Sequence, residues 1–223
     1  MNKADHSLAL LIQQGVLPLY FHPDPEVSLE VLKSLYAAGI RAVEYTNRGK
    51  EALENFKRLK VLRDTELKDI QLGIGTIKTA SEAQKYLTAG ADFIISPGLV
   101  PEVAKETIAA GLLWIPGCMS VTEIIEAEHL GASLVKLFPG NLLGPSFLSS
   151  IKDIFPSLHF MPTGGVEVSE ENIRAWFKAG VSLVGLGSKL ISKDLLEKRE
   201  YDAIQRGTQH ALDIVSTVKT TLL

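Results

Sequence analysis

Apolar residues along the chain fall into two kinds of segment that alternate. Short, largely apolar runs, such as Ile70–Ile74 and Ser133–Leu137, end near Gly or Pro, which is typical of buried strands. Longer segments between them carry apolar residues every three or four positions, which is typical of amphipathic helices. Four predicted helices end in an Ala-Gly pair before a strand, which indicates a glycine C-cap and a short loop: Ala38–Gly39, Ala89–Gly90, Ala110–Gly111 and Ala179–Gly180.

The pattern predicts eight strands: Val16–Phe21, Ile40–Thr46, Ile70–Ile74, Asp92–Ser96, Leu112–Ile115, Ser133–Leu137, Leu158–Met161 and Val181–Leu186. The predicted helices are Asp5–Gln14, Ser28–Ala38 with Ser28 as its N-cap, Gly49–Lys68, Thr79–Ala89, Val100–Ala110, Thr122–Leu130, Ser146–Phe155, Ser169–Ala179 and Tyr201–Leu222. This strict alternation, without a linker, predicts an α/β fold: a single (β/α)8 TIM barrel over residues 1–223 with an N-terminal lead-in helix. An open doubly wound sheet is the alternative, although no GxGxxG turn follows the first strand.

Composition narrows the classes of function. The net charge of −3 at pH 7 gives no reason to expect nucleic acid or an anionic membrane as a partner. No signal-peptide pattern or membrane-spanning apolar run is present, and the lone Cys118 excludes an internal disulfide, so we expect a cytoplasmic protein. The five histidines lack metal-ligand spacing, and we expect neither a metal nor a cofactor.

Lys136 and Glu44 are polar residues within apolar strands. Lys136 either extends its ammonium group to solvent or is buried, where the neutral amine is favoured and can form a Schiff base with a ketone. Because the active site of a barrel lies at the carboxyl ends of its strands, we interpret the two residues as an imine-forming lysine and a carboxylate that moves protons. A purely structural buried ion pair is the alternative.

Other strand ends carry residues suited to binding anions. Thr163–Gly164–Gly165 and Gly187–Ser188 follow the last two strands, where barrels commonly bind phosphate through backbone N–H groups, although glycines there can also be simple turn residues. Arg48 follows Glu44 by four residues and is either a carboxylate-binding group or a surface charge. Cys118 has no neighbouring histidine in the sequence, so we interpret it as a packing residue.

Six motifs in this order resemble those of the 2-keto-3-deoxy-6-phosphogluconate / 4-hydroxy-2-oxoglutarate aldolases: Val43–Arg48, Gly73–Thr76, Ile95–Gly98, Ile115–Gly117, Val135–Pro139 and Met161–Val166. The resemblance extends from about Gly15 to about Leu190. It implies a class I aldolase on a (β/α)8 barrel, usually a homotrimer, without a cofactor. Such an enzyme reversibly cleaves a 2-keto-3-deoxy (phospho)sugar acid or 4-hydroxy-2-oxoglutarate to pyruvate and an aldehyde, glyceraldehyde 3-phosphate or glyoxylate.

The resemblance also implies a role for each matching residue. Lys136 matches the Schiff-base lysine, and Glu44 matches the general acid/base. Arg48 and Thr76 match the groups that bind the pyruvate carboxylate. The residues that match the substrate pocket are Pro97, Phe138 and Thr163, and those that match the phosphate corner are Gly164, Gly165, Gly187 and Ser188.

Two departures from the family pattern fall near the aldehyde half of the substrate. The family often has an acidic residue where this chain has Asn141, and an arginine at the end of the first strand, where this chain has Tyr20–Phe21–His22. We therefore expect the pyruvate chemistry to be intact, while the identity of the aldehyde stays open. Two alternatives stay open: a phosphate-binding isomerase or epimerase, and a non-catalytic barrel that binds a sugar acid.

Overall fold

Strands and helices alternate through the computed structural model, which describes residues 2–222. The strands are β1 (Val16–Tyr20), β2 (Ala42–Thr46), β3 (Gln71–Gly75), β4 (Phe93–Ile95), β5 (Leu113–Ile115), β6 (Gly117–Cys118), β7 (Leu134–Leu137), β8 (His159–Pro162) and β9 (Val184–Leu186). The helices are α1 (Lys3–Gln14), α2 (Pro25–Ala37), α3 (Ala52–Thr65), α4 (Ala80–Thr88), α5 (Pro101–Ala109), α6 (Val121–His129), α7 (Gly140–Ile151), α8 (Glu170–Lys178), α9 (Lys193–Glu197) and α10 (Tyr201–Leu222). A short 3₁₀-helix, Lys152–Ile154, follows α7.

The strands pair in parallel and form a curled sheet in two segments, β5-β4-β3-β2-β1-β9 and β6-β7-β8. The predicted fifth strand corresponds to β5 and ends before Pro116, which has no N–H to donate to the ladder; β6, which follows Pro116, was not predicted. The Pro116 carbonyl accepts a hydrogen bond of 2.8 Å from the Lys136 N–H of β7, and Thr163 pairs with Gly185 of β9. The prediction of an α/β fold with parallel strands is therefore confirmed.

The apolar interior has two parts. One cluster joins the sheet to the surrounding helices. The second contains inward-facing strand residues such as Leu17, Phe93 and Met161, together with Leu11 of α1. Because Gln14, the last residue of α1, accepts a hydrogen bond of 2.9 Å from the N–H of Ala42 at the start of β2, α1 covers the amino ends of the strands. The carboxyl ends are left free for a site.

The predicted starts of α2 and α3 are wrong, and α3 spans Ala52–Thr65 instead of Gly49–Lys68. Ser28 does not cap α2; the helix begins at Pro25, and the Asp24 side chain accepts from the Glu26 N–H at 2.8 Å. Proline is favoured at this first position because its missing N–H would have no partner there. Helix α7 is interrupted at Gly144, whose φ of 70° is not helical, so its longer part begins next to the predicted start at Ser146. An additional turn that begins at Gly140 precedes the break, and the carbonyls of Thr163 and Gly164 after β8 accept from its free N–H groups. No helix within residues 2–222 is long and apolar enough to cross a membrane.

Candidate active site

A cavity of about 550 Å³ opens at the carboxyl ends of the strands. Of the eleven residues that the sequence proposes for the site, ten line this cavity, although they come from six separate motifs and loops. The ten are Arg48, Thr76, Pro97, Lys136, Phe138, Thr163, Gly164, Gly165, Gly187 and Ser188. The eleventh, Glu44, lies behind the lining, next to Lys136.

Lys136 and Glu44 approach each other inside the curled sheet. Lys136 of β7 is 6% exposed and Glu44 of β2 is 1% exposed, so Lys136 does not extend into bulk solvent. The Lys136 Nζ lies 3.7 Å from Glu44 Oε1, which is an ion-pair distance but too long for a hydrogen bond. Neither Glu44 carboxylate oxygen has a hydrogen-bond partner among residues 2–222. Buried structural ion pairs are normally completed by hydrogen bonds, so this arrangement favours a site that a ligand completes.

The room for the Glu44 carboxylate comes from a glycine in the neighbouring strand. Gly75 ends β3, and a Cβ atom built on it would lie 2.5 Å from Glu44 Cδ and closer still to Oε1. Any side chain at position 75 would therefore displace the carboxylate. This explains physically why the strand ends in glycine at this point.

Arg48 and Thr76 line the cavity from the loops after β2 and β3, which are neighbouring strands. Arg48 is exposed, and its guanidinium forms no ion pair within the described residues 2–222, so it is available to an anionic ligand. Thr76 has φ 64°, in the left-handed region that a β-branched residue rarely adopts. Such strain costs about 1–3 kcal/mol and is often found where a side chain serves a site.

Phe138 and Pro97 form part of the apolar wall of the cavity. The Phe138 ring centroid lies 5.3 Å from Lys136 Nζ, within the range of a cation–π contact. An aromatic wall next to the lysine limits the access of water. It therefore makes the surroundings of the amine less polar than those of a surface lysine.

The glycine-rich corner lies at the ends of β8 and β9. Gly164 and Gly165 have φ 92° and 73°, so their conformation favours glycine. A Cβ atom on Gly185 would overlap Thr163 Oγ1, a buried hydroxyl that has no hydrogen-bond partner in the part of the chain the structure describes. Close by, Lys189 forms an ion pair of 2.7 Å with Glu167. The backbone there can approach an anion closely, while the charge of Lys189, which lines the same cavity, is partly neutralised by Glu167.

The sequence is similar to a known protein family and to individual proteins. The family model described as "KDPG and KHG aldolase" matches residues 9–207. The chain belongs to this family. A 2-dehydro-3-deoxy-phosphogluconate aldolase of Treponema pallidum is 30% identical over 204 residues, which cover 91% of this chain and 94% of the relative. The KHG/KDPG aldolase of Escherichia coli K12 is 29% identical over 206 residues, which cover 92% and 94%.

One solved structure of similar fold contains a covalent reaction intermediate. It is the KDPG aldolase of Legionella pneumophila with pyruvate captured at low pH as a covalent carbinolamine intermediate. It is 28% identical, has a TM-score of 0.83, and the match covers 91% of this chain and 96% of the other. The resemblance seen in the sequence is confirmed, and the chain is a carbon–carbon lyase of the aldolase type. The isomerase or epimerase and the non-catalytic binding protein are not favoured.

Part of the cavity of this aldolase was not expected from sequence. Pro23, after β1, lines the cavity, as do Lys193 and Glu197 of α9, whereas the neighbouring His22 belongs to the departure on β1 that the sequence places near the aldehyde half. Helix α9 is too short for a hydrophobic period to reveal it. The available signals were Ser192, which caps α9 with its side chain, and the i,i+4 pair Lys193–Glu197 at 3.3 Å.

Cys118 is buried in β6, and burial raises the pKa of its thiol to about 12. The thiol is therefore fully protonated near neutral pH, when it is a poor nucleophile. This supports the interpretation of Cys118 as a packing residue. Across residues 2–222, no three His, Cys, Asp or Glu side chains converge in the manner of metal ligands.

Proposed function

We propose that this aldolase reversibly cleaves a 2-keto-3-deoxy sugar acid to pyruvate and an aldehyde through a Schiff base on Lys136. The observation that carries the proposal is the buried pair: Lys136 Nζ 3.7 Å from Glu44 Oε1, at a cavity, with both carboxylate oxygens lacking hydrogen-bond partners among residues 2–222. A nucleophilic amine and a carboxylate that can exchange protons with a ligand are the two groups that this reaction needs.

In the proposed reaction, the neutral amine of Lys136 attacks the C2 carbonyl of the substrate. Glu44 donates a proton to the carbinolamine hydroxyl, which leaves as water, and a protonated imine forms. Glu44 then takes the proton of the C4 hydroxyl, directly or through one water. The C3–C4 bond breaks, its electron pair moves into the iminium to form an enamine, and the aldehyde leaves. Protonation of C3 and hydrolysis release pyruvate and restore the lysine.

The substrate carboxylate is assigned to Arg48 and Thr76. Arg48 offers a planar set of donors that suits a carboxylate, and its side chain is exposed at the cavity. The strained backbone of Thr76 gives its hydroxyl a fixed position at the same end. Pro97, Phe138 and Thr163 enclose the carbon chain.

The terminal group of the substrate is assigned to the corner formed by Gly164, Gly165, Gly187 and Ser188. Backbone N–H groups and the Ser188 hydroxyl suit a phosphate dianion. We therefore propose that a 6-phosphorylated acid is preferred to its unphosphorylated form. The phosphogluconate aldolase activity named for the Treponema pallidum relative supports this choice, and 4-hydroxy-2-oxoglutarate is the second candidate, as named for the Escherichia coli relative.

Borohydride trapping tests the proposed Schiff base. Reduction in the presence of pyruvate should add a three-carbon adduct to the peptide that contains Lys136, detected by mass spectrometry. Lys136→Met should abolish both trapping and turnover while the chain still folds, since Met is close in volume and carries no charge. The matched control is Lys50→Met, at a lysine side chain that is 92% exposed. An adduct on Lys50 or Lys189, with Lys136 unmodified, would contradict the assignment.

We also propose that the two sheet segments close into one (β/α)8 barrel, with residues 1–223 as a single domain and α1 as its lead-in helix. The hydrogen bond between Lys136 N–H and Pro116, and the pairing of Thr163 with Gly185, support closure at the two junctions. Met1 and Leu223 lie outside the described residues. A homotrimer in the cytoplasm is proposed from the family resemblance and the cysteine content, and light scattering that gives a monomer mass would contradict the trimer.

A further inference from the structure

The loop after β1 places a histidine in the cavity for which the proposed mechanism has no use. His22 follows the last residue of β1 by two positions and lines the same cavity as Lys136. It replaces no group already assigned to the carboxylate, the imine or the terminal phosphate. Hydrogen bonds fix the position of both its backbone and its imidazole ring.

The backbone of His22 is fixed from behind by three buried side chains. Its carbonyl oxygen accepts hydrogen bonds from Tyr45 Oη at 2.9 Å, Ser28 Oγ at 3.0 Å and Asn55 Nδ2 at 3.0 Å. Burial raises the pKa of Tyr45, so its hydroxyl remains a donor at neutral pH. A satisfied buried network of this kind makes a loop rigid, which is what a precise binding group requires.

The imidazole ring of His22 is held in one tautomer. Its Nδ1 accepts a hydrogen bond of 3.1 Å from the Asp24 N–H, so in the neutral ring the proton is on Nε2. Asp24 is itself fixed, because its carboxylate pairs with Arg199 at 2.9 Å. Within residues 2–222, Nε2 has no hydrogen-bond partner. The ring therefore offers a single oriented N–H donor.

The strand order shows which part of a substrate would reach this donor. Strand β1 lies between β2, whose end leads to Arg48, and β9, whose end leads to Gly187 and Ser188. A ligand with its carboxylate at Arg48 and its terminal group at the glycine corner passes the end of β1. The middle of such a ligand, the hydroxyl-bearing carbons of its aldehyde half, therefore faces His22.

We propose that His22 is a specificity-determining residue that donates its Nε2 proton to a hydroxyl on the aldehyde half of the substrate. This inference rests on the proposed function. It names the substrate class: an acid whose aldehyde half carries hydroxyls beyond C4, as a glyceraldehyde unit does, in preference to one that yields acetaldehyde and has no acceptor beyond C4. A site built to donate to a hydroxyl discriminates against substrates that lack it, because the donor is then left without a partner.

The test compares donor-lacking variants with one that keeps a donor. His22→Leu and His22→Phe both remove the N–H, and the second keeps a ring in case the first does not fold. His22→Gln keeps an N–H near the position of Nε2. His210→Leu, at an exposed histidine on α10, is the matched control. The measured quantity is kcat/KM for a 2-keto-3-deoxy acid with hydroxyls, with and without its phosphate, and for 4-hydroxy-2-oxopentanoate, which has a methyl group at C5.

The donor-lacking variants should lose about tenfold on the hydroxylated acid, with or without phosphate, and less than about threefold on 4-hydroxy-2-oxopentanoate. His22→Gln should recover most of that loss, and His210→Leu should show none. Equal losses on all substrates, no loss, or a loss confined to the phosphorylated acid would overturn the proposal.

Borohydride trapping of pyruvate, measured in each variant, separates this failure from failure of the proposed function. Normal trapping on Lys136, together with one of those three patterns, overturns the role of His22 and leaves the Schiff base intact. A native protein that neither traps pyruvate on Lys136 nor cleaves any of the acids overturns the proposed function, and the role of His22 with it.

Discussion

Gly75→Ala tests the proton-transfer geometry of the site without altering a reactive group. Gly75 adjoins the Glu44 carboxylate, and the added Cβ atom would lie 2.5 Å from Glu44 Cδ. Real Cβ atoms essentially never approach another heavy atom within 3.0 Å, and ordinary contact begins at 3.4 Å. The carboxyl group must therefore move by about 1 Å. It can do so because it is the end of a flexible side chain, so we expect the fold to survive.

The displacement changes an atomic arrangement on which the rate depends. Glu44 Oε1 lies 3.7 Å from Lys136 Nζ, and proton transfer to the substrate needs hydrogen-bond distances. A misplacement of about 1 Å can cost on the order of a hundredfold in rate. We therefore expect kcat to fall about a hundredfold. Trapping of pyruvate on Lys136 should persist at a reduced rate, because the amine itself is unchanged.

The assay is pyruvate release coupled to lactate dehydrogenase, with thermal unfolding recorded to establish that the variant is folded. The matched control is Gly98→Ala, after the neighbouring strand β4, where an added Cβ atom meets nothing within 4 Å. Its kcat should stay within about twofold of the native value. A folded Gly75→Ala variant that keeps kcat within about threefold would refute the reasoning, because Glu44 would then tolerate a displacement that proton transfer should not.

Three further predictions concern other groups. Thr76→Gly should relieve the backbone strain at φ 64° without lowering Tm, yet raise the pyruvate concentration for half-maximal trapping about tenfold; a lower Tm would contradict this. Cys118, with its pKa raised by burial to about 12, should resist iodoacetamide at pH 7.5, so rapid alkylation of the folded protein would be contrary evidence. Burial, and secondarily the charge of Lys152, lower the pKa of His159 from 6.5 in the folded protein. Because the unfolded chain therefore binds more protons than the folded one, the free energy of unfolding falls as the pH drops below about 7. His159→Gln should flatten this decline in urea unfolding curves, and an unchanged pH dependence would refute the assignment.

The fold class could be predicted because the hydrophobic period reports burial. Strands such as β2 and β7 are buried along their whole length, so they appear as continuous apolar runs in which Glu44 and Lys136 stand out as the polar exceptions. The same contrast led to the candidate catalytic pair. Because parallel strands bring their carboxyl ends to one edge, the order of the motifs then sufficed to collect ten of the eleven candidate residues around one cavity.

The helix starts that the sequence did not predict depend on hydrogen bonds between residues that are distant in the sequence. Serine is a residue type that is favoured at N-caps. Ser28 nevertheless lies inside α2, where its hydroxyl donates to the carbonyl of His22 at 3.0 Å. The additional turn of α7 before Gly144 depends on the carbonyls of Thr163 and Gly164, which accept from the N–H groups of Gly140 and Asn141 at 2.7 and 2.9 Å. Acceptors so distant in sequence leave no local pattern, and no rule based on neighbouring residues could find them.

The two departures from the family pattern act on the site in different ways. Asn141 is exposed, its N–H donates to Gly164, and a Cβ atom on Gly165 would lie 2.5 Å from the Asn141 Cβ. Asn141 therefore affects substrate binding through the backbone of Gly164 and Gly165. Phe21 and His22 instead present their side chains to the cavity. Because a side chain that contacts the substrate changes selectivity more directly than one that supports a loop, the choice of aldehyde should follow the β1–α2 loop more than Asn141.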